Sequence, residues 1–149
     1  MSKMVTHHYT ACGLPNIWIR CRRVTDDAGK KTFIIPNVKE LHKTIAHAVV
    51  LKEGALTGAE LRFLRSEMGL TADEFGGMIC RSAATISRWE NGKGVSDAVT
   101  EGFIRILAAD KLKLDGIDPA TISKNHKPEK STPPVRIEAV SRGHYRLAA

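Results

Sequence analysis

The chain is poor in aromatic residues. Trp, Tyr and Phe together make 5% of its 149 residues, so the core must be mainly aliphatic. It has no apolar run near the roughly 18–20 residues needed to cross a bilayer, which argues against a membrane span. Residues 1–9 hold no apolar signal-peptide core, so a secreted product is not expected. Cysteine is sparse and odd in number: Cys12, Cys21 and Cys80 include no CxxC pair. A disulfide framework is therefore not expected, and a reducing cytoplasm fits best. His7, His8, Cys12 and Cys21 are irregularly spaced, so no metal site is expected, and no cofactor motif is present. No nucleophile is paired with a base and no glycine-rich loop could cradle a phosphate, so the chain does not read as an enzyme.

Basic charge is what the chain has in excess. Its formal net charge is +7, a balance that suits a polyanion such as nucleic acid. The charge is uneven. Residues 1–54 carry nine basic and four acidic groups, and residues 121–149 carry six and two. Residues 55–112 carry seven and eight, net −1.

The first 36 residues read as a β-segment. Residues 1–8 look like a loose polar start, and Tyr9–Leu14 like a short strand closed by a turn at Pro15 and Asn16. In Ile17–Val24, alternation sets Ile17, Ile19, Cys21 and Arg23 on one face and Trp18, Arg20, Arg22 and Val24 on the other. The turn-forming run from Thr25 to Gly29, followed by Lys31–Ile35, completes a β-hairpin. Residues 37–54 read as a linking amphipathic helix over 38–51, capped by Asn37 with Glu40 three residues on. Within 55–112, Thr57 with Glu60 and Thr71 with Glu74 are two further capping boxes. Ser82 caps another helix ending at Asn91–Gly92, with Ile86 and Trp89 turned inward. A last helix runs from about Ser96 to Leu112. Residues 113–149 read as a basic flexible tail, proline-bearing around 124–134, with alternation at Val135–Val140 that suits a short strand, formed on a partner.

The informative stretch is LTADEFGGMICRSAATISRWENG, residues 70–92. Two helices this short are marginal alone and must lean on their neighbours. The helix at 82–91 then presents Ala83, Ala84, Thr85, Ser87 and Arg88 outward. Such small side chains beside a guanidinium allow close approach to a major groove about 12 Å wide. This stretch resembles the helix-turn-helix of the Cro and lambda-repressor superfamily, the Xre family, most specifically in Thr85-Ile86-Ser87-Arg88-Trp89-Glu90-Asn91-Gly92. The stretch from Tyr9 to Leu64, with Cys12-Gly13-Leu14-Pro15-Asn16-Ile17-Trp18, Ile35-Pro36 and Leu56–Arg65, is similar to bacterial regulators with an N-terminal β-segment ahead of this domain, and the domain there resembles that of MqsA-type antitoxins. The chain lacks their CxxC zinc module.

The resemblance implies a mainly α chain: a five-helix lambda-repressor-like helix-turn-helix domain with an N-terminal β-hairpin and a flexible C-terminal tail. It implies that Ser82 caps the recognition helix, that Ala83, Ala84 and Thr85 enter the groove, and that Arg88 reaches bases or phosphate. Arg81, Ser87, Asn91, Lys93 and Thr71 complete the DNA-contacting set on that helix-turn-helix. Arg20, Arg22 and Arg23 are candidate phosphate contacts that offset the acidic balance of the central segment. The implied function is sequence-specific binding of double-stranded DNA by a homodimeric repressor on a palindromic operator, in a bacterial cytoplasm or phage setting. The alternative is an antitoxin that holds a toxin and autorepresses its operon. The family usually has glycine where Cys80 stands and alanine where Gly76 stands.

Overall fold

The computed structural model describes residues 2–92, 94–95, 97–125, 132–141 and 143–148. The chain forms two compact units, one from Met1–Ile45 with Pro133–Ala149 and one from Ala46–Thr132.

The first unit is a five-stranded mixed sheet: β1 (Ser2–His8), β2 (Ile17–Thr25), β3 (Lys31–Ile34), β4 (Val135–Ser141) and β5 (His144–Leu147). Central β2 pairs antiparallel with β1 along one edge. Its other edge is shared, with β4 running parallel beside Ile17–Arg20 and β3 antiparallel beside Arg22–Thr25. The expected β2–β3 hairpin is present. Alternation along β2 decides which side is wet. Ile17, Ile19 and Cys21 are buried, whereas Arg20 and Arg22 are exposed. Leu14, Leu41, Ile45 and Ile137 join this core, and the Tyr9 hydroxyl meets His42 Nε2 at 2.8 Å.

Three expectations for this unit are corrected. Residues 2–8 are a strand, because β2 offers them a complete antiparallel edge. Tyr9–Leu14 is no strand: a turn closes over Thr10–Gly13, and only Tyr9 N–H still bonds the Ile17 carbonyl. The tail is not flexible throughout: residues 135–141 and 144–147 are strands, the first of them where a short strand was expected. Its alternating Val135 and Ile137 find the free half-edge of β2, and Ile137 is buried there.

The second unit is helical. The last turns of α1 (Val38–Leu51) enter it, followed by α2 (Gly58–Glu67), α3 (Ala72–Ile79), α4 (Ala83–Glu90), α5 (Ala98–Lys111) and α6 (Pro119–Asn125). Its core includes Leu61, Leu64, Phe75, Ile86, Ile104 and Ala108, at the apolar spacings of their helices, and Leu56 from the segment before α2. A buried ion pair ties the α1–α2 connection to α5. Arg105 bonds Glu101 at 2.8 Å and donates to the carbonyls of Val50, Lys52 and Gly54. Glu101 also accepts from the Leu56 N–H at 3.1 Å. The presence of α6 corrects the expectation of a flexible tail a second time. Asn125 bonds the Leu51 carbonyl through Nδ2, and its own carbonyl accepts from the Gly54 N–H, so the last turn is anchored to the end of α1. A mainly α description thus holds only in part: among the described residues, six helices accompany five strands. None of those helices is long and apolar enough to cross a membrane.

Candidate nucleic-acid interface

Helices α3 and α4 are set by local chemistry. Thr71 accepts from the Glu74 N–H while Glu74 accepts from the Thr71 N–H, closing a capping box on α3. Ser82 caps α4 by accepting from the Thr85 N–H at 3.2 Å, and its hydroxyl lies 3.0 Å from Thr85 Oγ1. Between the helices the chain reverses at Cys80, which adopts a left-handed conformation (φ 59°, ψ 44°). That accounts for the glycine usual at this place, since only glycine takes such angles without steric cost. Cys80 is exposed on this turn. Gly76 is needed because a Cβ there would collide with the Arg81 carbonyl as the turn folds back.

The outer side of α4 is open. Ala84, Ser87, Arg88 and Asn91 are exposed, and Ala83 and Thr85 are half-buried. Arg88 reaches back to Thr85 Oγ1 at 3.4 Å, and Asn91 Nδ2 donates to the Ser87 carbonyl at 2.9 Å. Arg81 stands exposed at the mouth of the turn, with Nη2 3.4 Å from Thr100 Oγ1. The structure thus gathers Arg81, Ser82, Ala83, Ala84, Thr85, Ser87, Arg88 and Asn91 on and before one short helix. Thr71 and Ser82 use their hydroxyls as caps. Lys93 and Ser96 lie outside the described residues, as do residues 126–131 of the expected linker. The helix expected from about Ser96 begins at Ala98 on an Asp97 cap.

The inner side of α4 differs from expectation. Ile86 is buried, but Trp89 is only half-buried. Much of the anchoring comes instead from Glu90, one helical turn beyond Ile86. It takes a bidentate pair from Arg65 of α2, at 2.6 and 2.9 Å, and Arg65 also donates to the Leu70 carbonyl. The hydrogen bond to Glu90 holds the Arg65 guanidinium charged beyond its ordinary range. Gly58 allows the same approach from the start of α2, since a Cβ there would strike the Trp89 and Glu90 carbonyls. The i, i+4 relation of Ile86 and Glu90 is the sequence signal for this anchor.

The acidic balance of residues 55–112 overstates what they present outward. Glu60, Glu90 and Glu101 face inward, paired with Lys52, Arg65 and Arg105. Arg20 and Arg22 are exposed on one face of the sheet, whereas Arg23 is half-buried on the other, so the three do not form a single patch.

Residues 57–115 match the family model of a helix-turn-helix domain. No curated protein and no solved structure gives a match. The matched segment runs from the cap of α2 past the end of α5 and includes the whole α3–turn–α4 arrangement. This part of the chain is similar to a helix-turn-helix domain, and that likeness suggests a DNA-binding regulator.

Proposed function

We propose that the chain is a sequence-specific, double-stranded DNA-binding transcriptional repressor of the Xre type, acting without catalysis. The observation that carries this is the outer side of α4. Ala84, Ser87 and the Arg88 guanidinium stand exposed, with Ala83 and Thr85 half-buried beside them, on a helix held from behind by Ile86 and Glu90. In this reading α4 lies in the major groove with Ala83, Ala84, Thr85, Ser87 and Arg88 toward base edges, and Arg81, Asn91, Thr71 and Lys93 toward the backbone.

A homodimer is part of the proposal. Val99, Phe103 and Ile106 form an exposed apolar stripe along α5, with Val99 81% exposed. A two-fold contact on that stripe would place two α4 helices on half-sites about 10 bp apart or a multiple of it. The second reading, an antitoxin similar to the MqsA type, draws support from the separate sheet unit.

The test is selection of bound sequences from a random duplex pool by the full chain, followed by footprinting with Arg88→Ala. The expected loss is about 1–3 kcal/mol, with relaxed preference at particular base pairs. Full affinity and unchanged selectivity in Arg88→Ala would overturn the placement of α4.

A further inference from the structure

The solvent face of the sheet carries groups that groove reading by α4 does not use. Arg20 and Arg22 of β2, Arg136 of β4 and Arg146 of β5 stand on this face, all exposed. The paired strands set one carboxylate among them, Glu138, which accepts from Nε and Nη2 of Arg146 at 3.1 and 3.0 Å. Trp18 stands in the same field, beside Arg136 in the parallel register, with its ring stacked on His8 (centroids 4.2 Å apart, planes 16° apart). Trp18, Arg20, Arg136 and Glu138 line a single groove on this surface.

We infer that this face binds an unpaired nucleic-acid strand, its phosphates on the arginines and a base against the groove wall formed by Trp18. Guanidinium forks suit phosphates and carboxylates alike. The aromatic wall among them selects a ligand whose anions carry flat rings, as nucleotides do, over an acidic peptide. A duplex is disfavoured by shape and by stacking. Four strands about 4.8 Å apart make a face roughly 14 Å wide before side chains are counted, too broad for a major groove of about 12 Å. Paired bases, moreover, offer no free ring face. Charged grooves with aromatic platforms are the usual means of holding unpaired strands. The surface lies wholly within the first unit, so it does not depend on the helix-turn-helix reading.

The test is fluorescence anisotropy of the full chain with labelled 20-mers of oligothymidylate and oligouridylate, a selected duplex, and polyglutamate as competitor, over a range of salt. The variants are Arg136→Gln/Arg146→Gln, Trp18→Leu and Arg88→Ala. The arginine pair touches only an exposed ion pair, so it keeps the test valid should Trp18→Leu fail to fold. Its expected effect is at least a tenfold loss for unpaired strands, a log–log salt slope shallower by about 1.4, and unchanged duplex binding. Arg88→Ala should show the opposite pattern, so failure of one reading is separable from failure of the other. Tighter binding of either 20-mer supports the inference and tells DNA from RNA. Unchanged affinity and slope in the arginine pair, equal loss on duplex and unpaired strands, or equally effective competition by polyglutamate would each overturn it.

Discussion

Removing the buried guanidinium of the helical unit tests how the α4 platform is held. Arg105 is fully buried, as is Glu101. Arg105→Met keeps much of the side-chain volume and removes the charge. It leaves the Glu101 carboxylate buried with the Leu56 N–H as its remaining bond among those described above, and strips donors from the carbonyls of Val50, Lys52 and Gly54. Breaking a buried pair from one side costs about 3–5 kcal/mol. Each carbonyl that loses its Arg105 donor adds up to about 1–3 kcal/mol, but these costs overlap, and a shifted connection can admit water. The expected loss is therefore about 4 kcal/mol, a large share of the roughly 5–15 kcal/mol of a typical domain. For a unit the size of Ala46–Thr132 this lowers the melting temperature by roughly 20 °C. The assay is urea and thermal unfolding followed by circular dichroism. Adding Glu101→Leu should recover part of the loss, because the buried charge that faced Arg105 is gone. A loss below about 1 kcal/mol in Arg105→Met would refute the reasoning, since it would mean the pair contributes no more than an exposed one.

Other outcomes follow from the same geometry. Glu90→Ala breaks the bidentate pair with Arg65 and should cost about 2 kcal/mol in denaturant unfolding, with duplex binding lost in step as α4 loosens. Cys80→Gly should stabilise by about 0.5–1 kcal/mol, because relief at a left-handed residue exceeds the extra entropy of an unfolded glycine; a destabilised variant would show the turn differs from that described. Phe103→Asp on the α5 stripe should shift sedimentation toward the monomer without lowering helix content. Hydrogen bonds with Thr71 hold the Glu74 carboxyl below its ordinary range, and those with Thr100 do the same for Asp97. Their contribution is present above the ordinary carboxylate pKa and is lost as pH falls through the depressed folded values. Glu74→Gln and Asp97→Asn should flatten the acid limb of stability against pH.

Local chemistry makes the helices and the outer face of α4 legible in the sequence. Thr57, Thr71 and Ser82 each satisfy their own helix through bonds spanning three residues, so composition and spacing alone place them. The same holds for β2, where alternation sorts Ile17, Ile19 and Cys21 from Arg20 and Arg22. Less legible is whatever depends on partners far along the chain. Residues 135–141 and 144–147 are too few and too polar to fold alone, and they become strands only because β2 leaves an edge unpaired more than a hundred residues earlier. Residue type favours Trp89 as the inward anchor of α4, whereas Glu90 carries that role because Arg65 stands opposite it.

Sequence by itself therefore determined the capped helices, the central strand and the group of side chains on α4, since each depends on neighbours a few residues away. Only the tertiary structure decided that the two chain ends share one sheet, that Arg20 and Arg22 share a face with Arg136 and Arg146, and that Arg105 is buried among distant carbonyls. Those pairings are between segments whose individual patterns carry no trace of each other, and their energy exists only once the loops between them have closed.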